Sequence, residues 1–170
     1  MLTTAQIISK YGTAGDPSRL TTITLPYPMF LAWVPGQIVT KITCNKGISK
    51  QLLQVFNDIL AHYGAAKIKE LGIDQFGGCV NVRPKRGTEA KYAALMKAGK
   101  VQEAQKLLSR HAWGIAIDLD PARNTLKETS KTARFARPEY KAMNDIFYKN
   151  GFIGYGRERN NDWMHYEIGS

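Results

Sequence analysis

SRHAWGIAID, residues 109–118, contains two of the three candidate metal ligands of this chain, and DWMH at residues 162–165 adds the third near the C-terminus. The two stretches offer the imidazoles of His111 and His165 and the carboxylate of Asp118 as metal ligands. Two imidazoles and one carboxylate suit a borderline divalent ion, and three protein ligands leave a fourth position open for chemistry. We therefore predict a catalytic Zn²⁺ site, with Asp162 as a spare carboxylate beside it.

Residues between His111 and Asp118 alternate in character as they do in a β-strand. Gly114 and Ala116 share a face with Asp118, whereas the opposite face is apolar and carries Trp113, Ile115 and Ile117. Small residues beside a carboxylate leave room for a metal and a substrate backbone, and the apolar set can fill a core. The pattern predicts a strand over residues 113–119.

The two motifs, Ser-x-His-x-x-Gly-x-Ala-x-Asp and acid-x-x-His, resemble those of the LAS metallopeptidases. This group contains D-alanyl-D-alanine carboxypeptidases, D-alanyl-D-alanine dipeptidases and L-alanyl-D-glutamate endopeptidases of phage. Three further stretches are similar to phage members, LPYP at 25–28, FGGC at 76–79 and RPKRG at 83–87, so the resemblance covers residues from about 21 to the end. It implies that His111, Asp118 and His165 bind zinc and that Asp162 is the general acid/base.

The resemblance also implies a basic residue upstream of the first motif, which would stabilise the oxyanion of a tetrahedral intermediate. Arg83 matches that place best and Arg86 is the second choice, although either could instead hold a substrate carboxylate. Ser109 lies two residues before the first ligand. It would either hydrogen-bond to substrate or serve as a turn or cap residue.

Asp162 departs from the pattern, because many members have Glu at this position. A regular strand would also place Asp162 and His165 on opposite faces, since they are an odd number of residues apart. We therefore predict that Asp162 lies in a bend before the strand, which the preceding Asn160-Asn161 pair favours.

The remaining pattern predicts an α+β fold in which a small antiparallel sheet carries the zinc site and packs against helices. The resemblance implies the LAS or hedgehog-type peptidase fold. Apolar spacing predicts helices over residues 48–63, which Gly64 would end or kink, and over residues 138–149.

Four strands are predicted besides 113–119. Residues 152–156 and 163–168, joined by a polar turn at 157–162, form a hairpin that delivers His165 beside the first motif. Residues 21–25 and 30–34 are shorter strands, and the prolines between them suggest a sheet edge or a surface arm.

The domain organisation is predicted to be a single catalytic domain over residues 1–170, without a separate wall-binding domain. Residues 1–20 would form an N-terminal arm. Apolar residues recur at helical spacing over 88–108 around a break at Ala98-Gly99-Lys100, which predicts a helical hairpin inserted before the zinc motif and a candidate lid over the site.

Composition supports one hydrophobic core, because 44% of the 170 residues are hydrophobic. The 24 basic and 14 acidic side chains give a net charge of +10, which fits a nucleic acid, an anionic membrane or an anionic cell wall. Basic residues are spread along the chain and no nucleic-acid motif occurs, so we do not expect nucleic acid as a partner. The resemblance implies bacterial peptidoglycan as the partner, and we expect a monomer.

Cys44 and Cys79 stand alone in the sequence, which predicts reduced, buried thiols. The N-terminus lacks the pattern of a signal peptide, and no apolar run approaches the roughly 20 residues that span a bilayer. We therefore expect synthesis in a host cytoplasm and no stable membrane insertion. The resemblance to phage endolysins implies that a holin-type release brings the protein to the cell wall or periplasm.

The function expected from these features is zinc-dependent cleavage of the peptidoglycan stem peptide by an L-alanyl-D-glutamate endopeptidase that acts as an endolysin. A D-alanyl-D-alanine carboxypeptidase or dipeptidase is the alternative, because the same metal site serves both reactions. A non-catalytic zinc-binding or wall-binding domain and a basic nucleic-acid binder are the other classes considered.

Overall fold

The computed structural model describes residues 1–169 and has an α+β architecture built on a six-stranded sheet. The strands are β1 (Leu20–Leu31), β2 (Ile38–Asn45), β3 (Gln75–Gly78), β4 (Ala116–Leu119), β5 (Phe152–Gly154) and β6 (His165–Ile168). The helices are α1 (Thr4–Tyr11), α2 (Ser49–Leu71), α3 (Glu89–Lys97), α4 (Val101–Gln105), α5 (Lys141–Lys149) and α6 (Tyr155–Arg159). Four short 3-10 turns complete the secondary structure: Pro17–Arg19, Arg110–Trp113, Arg134–Ala136 and Pro138–Tyr140.

The sheet has the strand order β2-β1-β3-β4-β6-β5 and is mixed rather than antiparallel, because β1 and β3 run parallel. The prediction of two short strands at 21–25 and 30–34 is wrong, since β1 is continuous and has β2 and β3 on either side. Its prolines lie between Thr24 and Met29, where the register with β2 shifts. An irregular segment of the ladder tolerates residues that lack an N–H group. The pairing of β1 with β3 covers only Phe30 and Leu31, so the edge position suggested for the prolines stays a prediction.

Two helices cover one face of the sheet. Helix α2 packs on β1, α5 packs on β5, and the two helices contact each other. Tyr166 of β6 stacks on Phe147 of α5 with ring centroids 3.9 Å apart, and Tyr166 pairs with Ile117 of β4. Because side chains alternate along a strand, the next pair, Asp118 and His165, projects from the opposite face.

Helix α2 is longer than the predicted helix at 48–63 and continues to Leu71. The kink predicted at Gly64 is confirmed, because that residue has the non-helical angles φ 72° and ψ 160°. The predicted helix at 138–149 corresponds to a 3-10 turn followed by α5.

The strand predicted over 113–119 is wrong in its first part. His111 lies in the 3-10 turn of residues 110–113, and Gly114 ends that turn in the left-handed region with φ 66°. Strand β4 starts only at Ala116. A turn that Ser109 caps and a glycine closes replaces the expected alternation, so His111 reaches the site from a turn and not from the strand.

The predicted hairpin of β5 and β6 is present, with antiparallel pairing from Phe152–Ile168 to Gly154–Tyr166. Its connection differs from the predicted polar turn, because α6 occupies Tyr155–Arg159. Helices α3 and α4 pack against each other around residues 98–100, as the predicted helical hairpin requires. Within the predicted N-terminal arm, α1 buries Ile7 and Tyr11.

Cys44 and Cys79 are free and buried, as predicted. Burial raises the pKa of the Cys44 thiol to about 12. Within residues 1–169, no helix combines the length and the apolar character needed to cross a membrane.

Gly77 sets how closely β3 approaches β4. A Cβ atom at this position would lie 2.9 Å from the main-chain oxygen of Asp118 and 3.0 Å from its Cβ atom. We expect Gly77→Ala to lower the free energy of unfolding by about 1–3 kcal/mol, because the backbone must shift to relieve the overlap. Urea unfolding measures this loss, and zinc titration should show weakened binding because Asp118 moves.

Gly99→Ala is the control for this prediction. Gly99, unlike Gly77, has positive φ, and no atom of a non-adjacent described residue lies within 4 Å of the added methyl group. This variant should lose about 1 kcal/mol through backbone strain alone and keep its zinc affinity. Equal zinc affinity in the Gly77 and Gly99 variants would contradict the proposed role of the close strand contact.

Candidate metal centre

Three segments of backbone bring the predicted ligands together. Asp118 and His165 are direct partners in the antiparallel pairing of β4 and β6. His111 comes from the preceding 3-10 turn, where its main-chain N–H donates to the Ser109 hydroxyl at 3.4 Å. Gly114 then reverses the chain so that β4 can enter the sheet beside β3. The predicted set His111, Asp118 and His165 is thus assembled from a turn and two neighbouring strands.

The ligand atoms of these three side chains converge on one point. Asp118 Oδ1 lies 3.2 Å from His111 Nε2 and 3.0 Å from His165 Nδ1, and the two nitrogens are 3.2 Å apart. All three residues are buried. Such a cluster could hold a metal ion, and its donor set is consistent with zinc.

The other ring nitrogen of each histidine has an acceptor as its partner. His111 Nδ1 lies 2.9 Å from the carbonyl oxygen of Cys79, and His165 Nε2 lies 3.1 Å from Glu167 Oε2. A carbonyl and an ionised carboxylate accept hydrogen bonds only, so these outer nitrogens carry the protons. When both imidazoles are neutral, the inner nitrogens direct lone pairs at the Asp118 carboxylate. Three converging acceptors need a cation between them, and these residues therefore fit zinc.

Glu167 anchors the outer side of His165 and was not predicted from the sequence. It is almost fully buried, accepts a hydrogen bond from the Tyr155 hydroxyl at 2.7 Å, and lies 3.7 Å from Arg110 Nε. Burial alone would raise the pKa of Glu167, but the hydrogen bond from His165 and its other partners lower it. The sequence does contain a signal for Glu167: it lies two residues after His165, so both side chains project from the same face of the strand.

The metal-free cluster holds a proton in place of a cation. Burial disfavours a charged imidazole, but the hydrogen bonds to Asp118 and Glu167 outweigh it and raise the pKa of His165 to about 9. Burial likewise disfavours a charged Asp118, but its hydrogen bonds with His111 and His165 hold the pKa of its carboxyl well below the usual range. The cluster is therefore built to bind one positive charge.

Asp162 lies in the predicted bend before β6 and has the left-handed angle φ 51°. Its side chain lines the same pocket as Asp118 and His165. Within residues 1–169, its buried Oδ1 atom has no hydrogen-bond partner. Burial raises the pKa of this carboxyl, against the attraction of His165. A half-desolvated carboxylate without a structural partner is suited to exchange protons with a bound molecule.

Arg83, Arg86 and Ser109 all line this pocket. The Ser109 hydroxyl caps the turn that carries His111, which supports the cap interpretation of this residue. Arg83 donates one hydrogen bond to the carbonyl oxygen of Pro84 at 3.2 Å. Further pocket residues are Lys85, Arg110, Leu126, Tyr155, Arg159, Asn161, Met164 and Glu167. The structure thus brings both candidate arginines to the site and adds three more cations.

The candidate lid of residues 88–108 contributes none of the lining residues of this pocket. Helix α3 has no buried residue, and the hairpin is tied to the domain mainly through the buried Ala104 and Leu108. A role as a lid stays a prediction.

The charge on His165 predicts that zinc binding is linked to proton release. A pKa of about 9 keeps this imidazole charged at neutral pH, so an incoming metal ion must displace about one proton. Apparent zinc affinity should therefore rise about tenfold per pH unit between about pH 7 and 9, and level off above the pKa. Titration calorimetry at pH 7 in two buffers of different ionisation enthalpy measures the proton count.

The same proton stabilises the metal-free fold. Because the folded pKa of about 9 lies above the ordinary value of 6.5, this contribution is complete below about pH 6.5 and is lost as the pH rises through about 9. The exposed His62 provides the control, and His62→Ala should release the same number of protons as the unchanged protein. Zinc binding without proton release at pH 7 would contradict the assigned charge state.

Comparison with known proteins is confined to the C-terminal part of the chain. Residues 102–168 match a family model described as D-alanyl-D-alanine carboxypeptidase, which is less than half of the 170 residues. The matched region contains all three candidate ligands and Asp162. No curated protein and no solved structure matches the chain. Together with the buried His-Asp-His cluster, the family match supports a zinc metallopeptidase of the peptidoglycan-cleaving type.

Proposed function

We propose that the protein is a zinc-dependent peptidoglycan endopeptidase that cleaves the bond between L-alanine and D-glutamate in the stem peptide. One observation carries the proposal: three buried ligand atoms converge beside a carboxylate, Asp162, whose buried oxygen has no hydrogen-bond partner within residues 1–169. A metal site with an unpaired acid/base beside it has the groups that a metal-dependent hydrolase needs.

His111, Asp118 and His165 would hold the zinc ion, with Glu167 and the Cys79 carbonyl fixing the two imidazole rings. When bound, zinc supplies a Lewis acid that polarises a carbonyl group and lowers the pKa of water. Asp162 accepts the proton of the attacking water and returns it to the leaving amine. The pKa of Asp162 is raised towards neutral pH relative to that of an exposed aspartate, which favours both proton transfers.

The positive charge of the pocket supports an anionic substrate. Lys85, Arg110 and Arg159 line it together with Arg83 and Arg86. Part of this charge is already paired, since Arg110 lies near Glu167 and Arg159 stacks 3.7 Å above the Tyr155 ring. A stem peptide carries a free carboxylate on D-glutamate, directly after the proposed scissile bond. Arg83 or Arg86 would stabilise the oxyanion, and the remaining cations would attract substrate carboxylates.

A second depression supports an endopeptidase over a carboxypeptidase. It shares Arg83, Arg86 and Asp118 with the first pocket and extends past His111 towards Trp33. The ligand cluster therefore lies between two depressions. An enzyme that removes one terminal residue needs space mainly on one side of the metal, whereas cleavage within a peptide needs space on both.

A D-alanyl-D-alanine carboxypeptidase or dipeptidase is the second candidate, because the matched family model carries that description. Both candidates use the same ligands and acid/base. They differ in the bond that reaches the metal site.

The proposed biological role is that of a phage endolysin acting as a monomer. It would stay in the host cytoplasm until a holin-type lesion releases it to the cell wall. The net charge of +10 supports attraction to an anionic wall polymer. Peptidoglycan is thus the proposed partner, rather than nucleic acid or the membrane interior.

Digestion of purified peptidoglycan, followed by mass spectrometry of the fragments, tests the proposed bond. Fragments with a new D-glutamate amino terminus, together with glycan that retains L-alanine, are expected. Release of free D-alanine would select the carboxypeptidase instead. Release of neither product by zinc-loaded protein would contradict both.

Asp162→Asn should keep the zinc ion and lose the rate. The amide matches the carboxylate in size but cannot accept a proton, so kcat should fall by about 10²- to 10⁴-fold. Zinc content by atomic absorption and turnover of a soluble muropeptide measure the two effects. Asp58→Asn, which changes a carboxylate on α2, is the control and should leave both unchanged. Full turnover by the Asp162 variant would show that the base is another group.

Arg83→Ala should lower kcat/KM by about 10²- to 10³-fold, if its guanidinium stabilises the developing oxyanion. Zinc content and thermal stability should stay unchanged, because within residues 1–169 its side chain makes one hydrogen bond, to the Pro84 carbonyl, and lies outside the ligand cluster. Arg86→Ala should cost less than about tenfold. Lys91→Ala on α3 controls for the loss of one exposed positive charge. A large loss in the Arg86 variant with an unchanged Arg83 variant would exchange the two assignments.

A further inference from the structure

Trp33 is an exposed aromatic side chain at the far end of the second depression. Its relative exposure is 61%, which is high for the largest apolar side chain. It lines this depression together with Gly78 and Val80, and the depression meets the metal cluster at His111 and Asp118. A large aromatic surface left open beside a reaction centre is a candidate contact for substrate.

The backbone around Trp33 is held in a turn, and the indole ring has an aromatic neighbour. Trp33 follows β1 in a tight turn, where the Ala32 N–H donates to the Phe76 carbonyl at 3.0 Å and the Val34 N–H donates to the Leu31 carbonyl at 3.2 Å. The ring also packs against Phe76, with centroids 6.5 Å apart. The two backbone hydrogen bonds order the turn that carries Trp33 and the contact with Phe76 borders its ring, which reduces the entropy lost on binding.

The two sides of the metal cluster differ in chemistry. The first pocket contains Lys85, Arg110 and Arg159. The residues that line only the second depression besides His111 carry no charge: Trp33, Gly77, Gly78, Val80 and Asn81. One side therefore suits carboxylates, and the other suits a flat, weakly polar group. Arg83 and Arg86 stand where the two sides meet.

We propose that the Trp33 depression binds the muramyl sugar to which the stem peptide is attached. The inference rests on the proposed endopeptidase function and names the substrate group on one side of the scissile bond. In peptidoglycan the stem peptide is joined to the sugar through its first residue, L-alanine. A sugar ring thus lies one residue before the proposed bond, and the free carboxylates lie after it.

This arrangement matches the chemistry of the two sides. A sugar ring presents C–H groups on its faces, which pack well against an indole ring, and its hydroxyl groups remain in water at an exposed platform. The basic pocket then receives the D-glutamate side of the peptide. The substrate would lie across the metal cluster with its sugar towards Trp33 and its carboxylates towards Lys85 and Arg159.

The test compares two soluble substrates that differ only in the sugar. One is a disaccharide tetrapeptide from peptidoglycan, and the other is the same tetrapeptide with an acetyl group in place of the muramyl group. The zinc-loaded protein should show a kcat/KM for the first that is about tenfold higher. Trp33→Ala should remove this preference and change kcat/KM for the acetylated peptide less than about twofold. Trp33→Phe should retain most of the preference, because it keeps an aromatic surface.

Ile38→Ala is the matched control, since Ile38 is exposed to a similar extent but does not line the depression. It should leave the preference unchanged. Equal losses on both substrates in Trp33→Ala, or no loss on either, would overturn the sugar assignment while the peptidase function stands. If neither substrate is cleaved, the proposed function fails. Binding of both compounds to the Asp162→Asn protein then still decides the sugar assignment, which requires tighter binding of the disaccharide compound that depends on Trp33.

Discussion

The pairing of Asp118 with His165 across β4 and β6 is the constraint on which the rest of the site depends. These two strands are buried on both sides, and their alternate residues Ile117 and Tyr166 belong to the core beneath α5. A slip of one residue in the register would exchange the two faces and place the ligands in the apolar core. The same packing that stabilises the sheet therefore fixes the position of the ligands.

The cluster is costly for the fold without a positive charge. Three acceptor atoms lie about 3 Å apart in a buried place, and each histidine is prevented from turning by a hydrogen bond on its outer nitrogen. Buried acceptors that face each other repel unless a proton or a cation lies between them. The raised pKa of His165 shows one way to meet this need, and a divalent metal is the other. A purely structural role would be served at lower cost by apolar residues.

The sequence predicted that His111, Asp118 and His165 lie together, because each belongs to a short motif in which type and spacing are local properties. It also predicted the bend at Asp162, since residues an odd number of positions apart cannot both lie on one face of a strand.

The prediction from sequence failed where contacts between distant segments determine the structure. The parallel contact of β1 with β3 depends on how α2 returns the chain, and the periodicity of β1 does not contain that information. The alternating pattern extends from Asp118 back to His111 and therefore predicts a strand. In the structure, Gly114 ends a 3-10 turn with positive φ, so the strand begins only at Ala116. Glu167, Tyr155 and Trp33 carry no motif, and their positions beside the site are seen only in the three-dimensional structure.

The most direct test of the central claim is the release of new amino termini from purified peptidoglycan before metal removal, after removal by a chelator, and after zinc is restored. Release should stop on chelation and return with about one zinc ion per chain, and His165→Ala protein should neither retain the ion nor recover. Release that survives complete metal removal, or that persists in the His165 variant, would contradict a reaction centred on His111, Asp118 and His165.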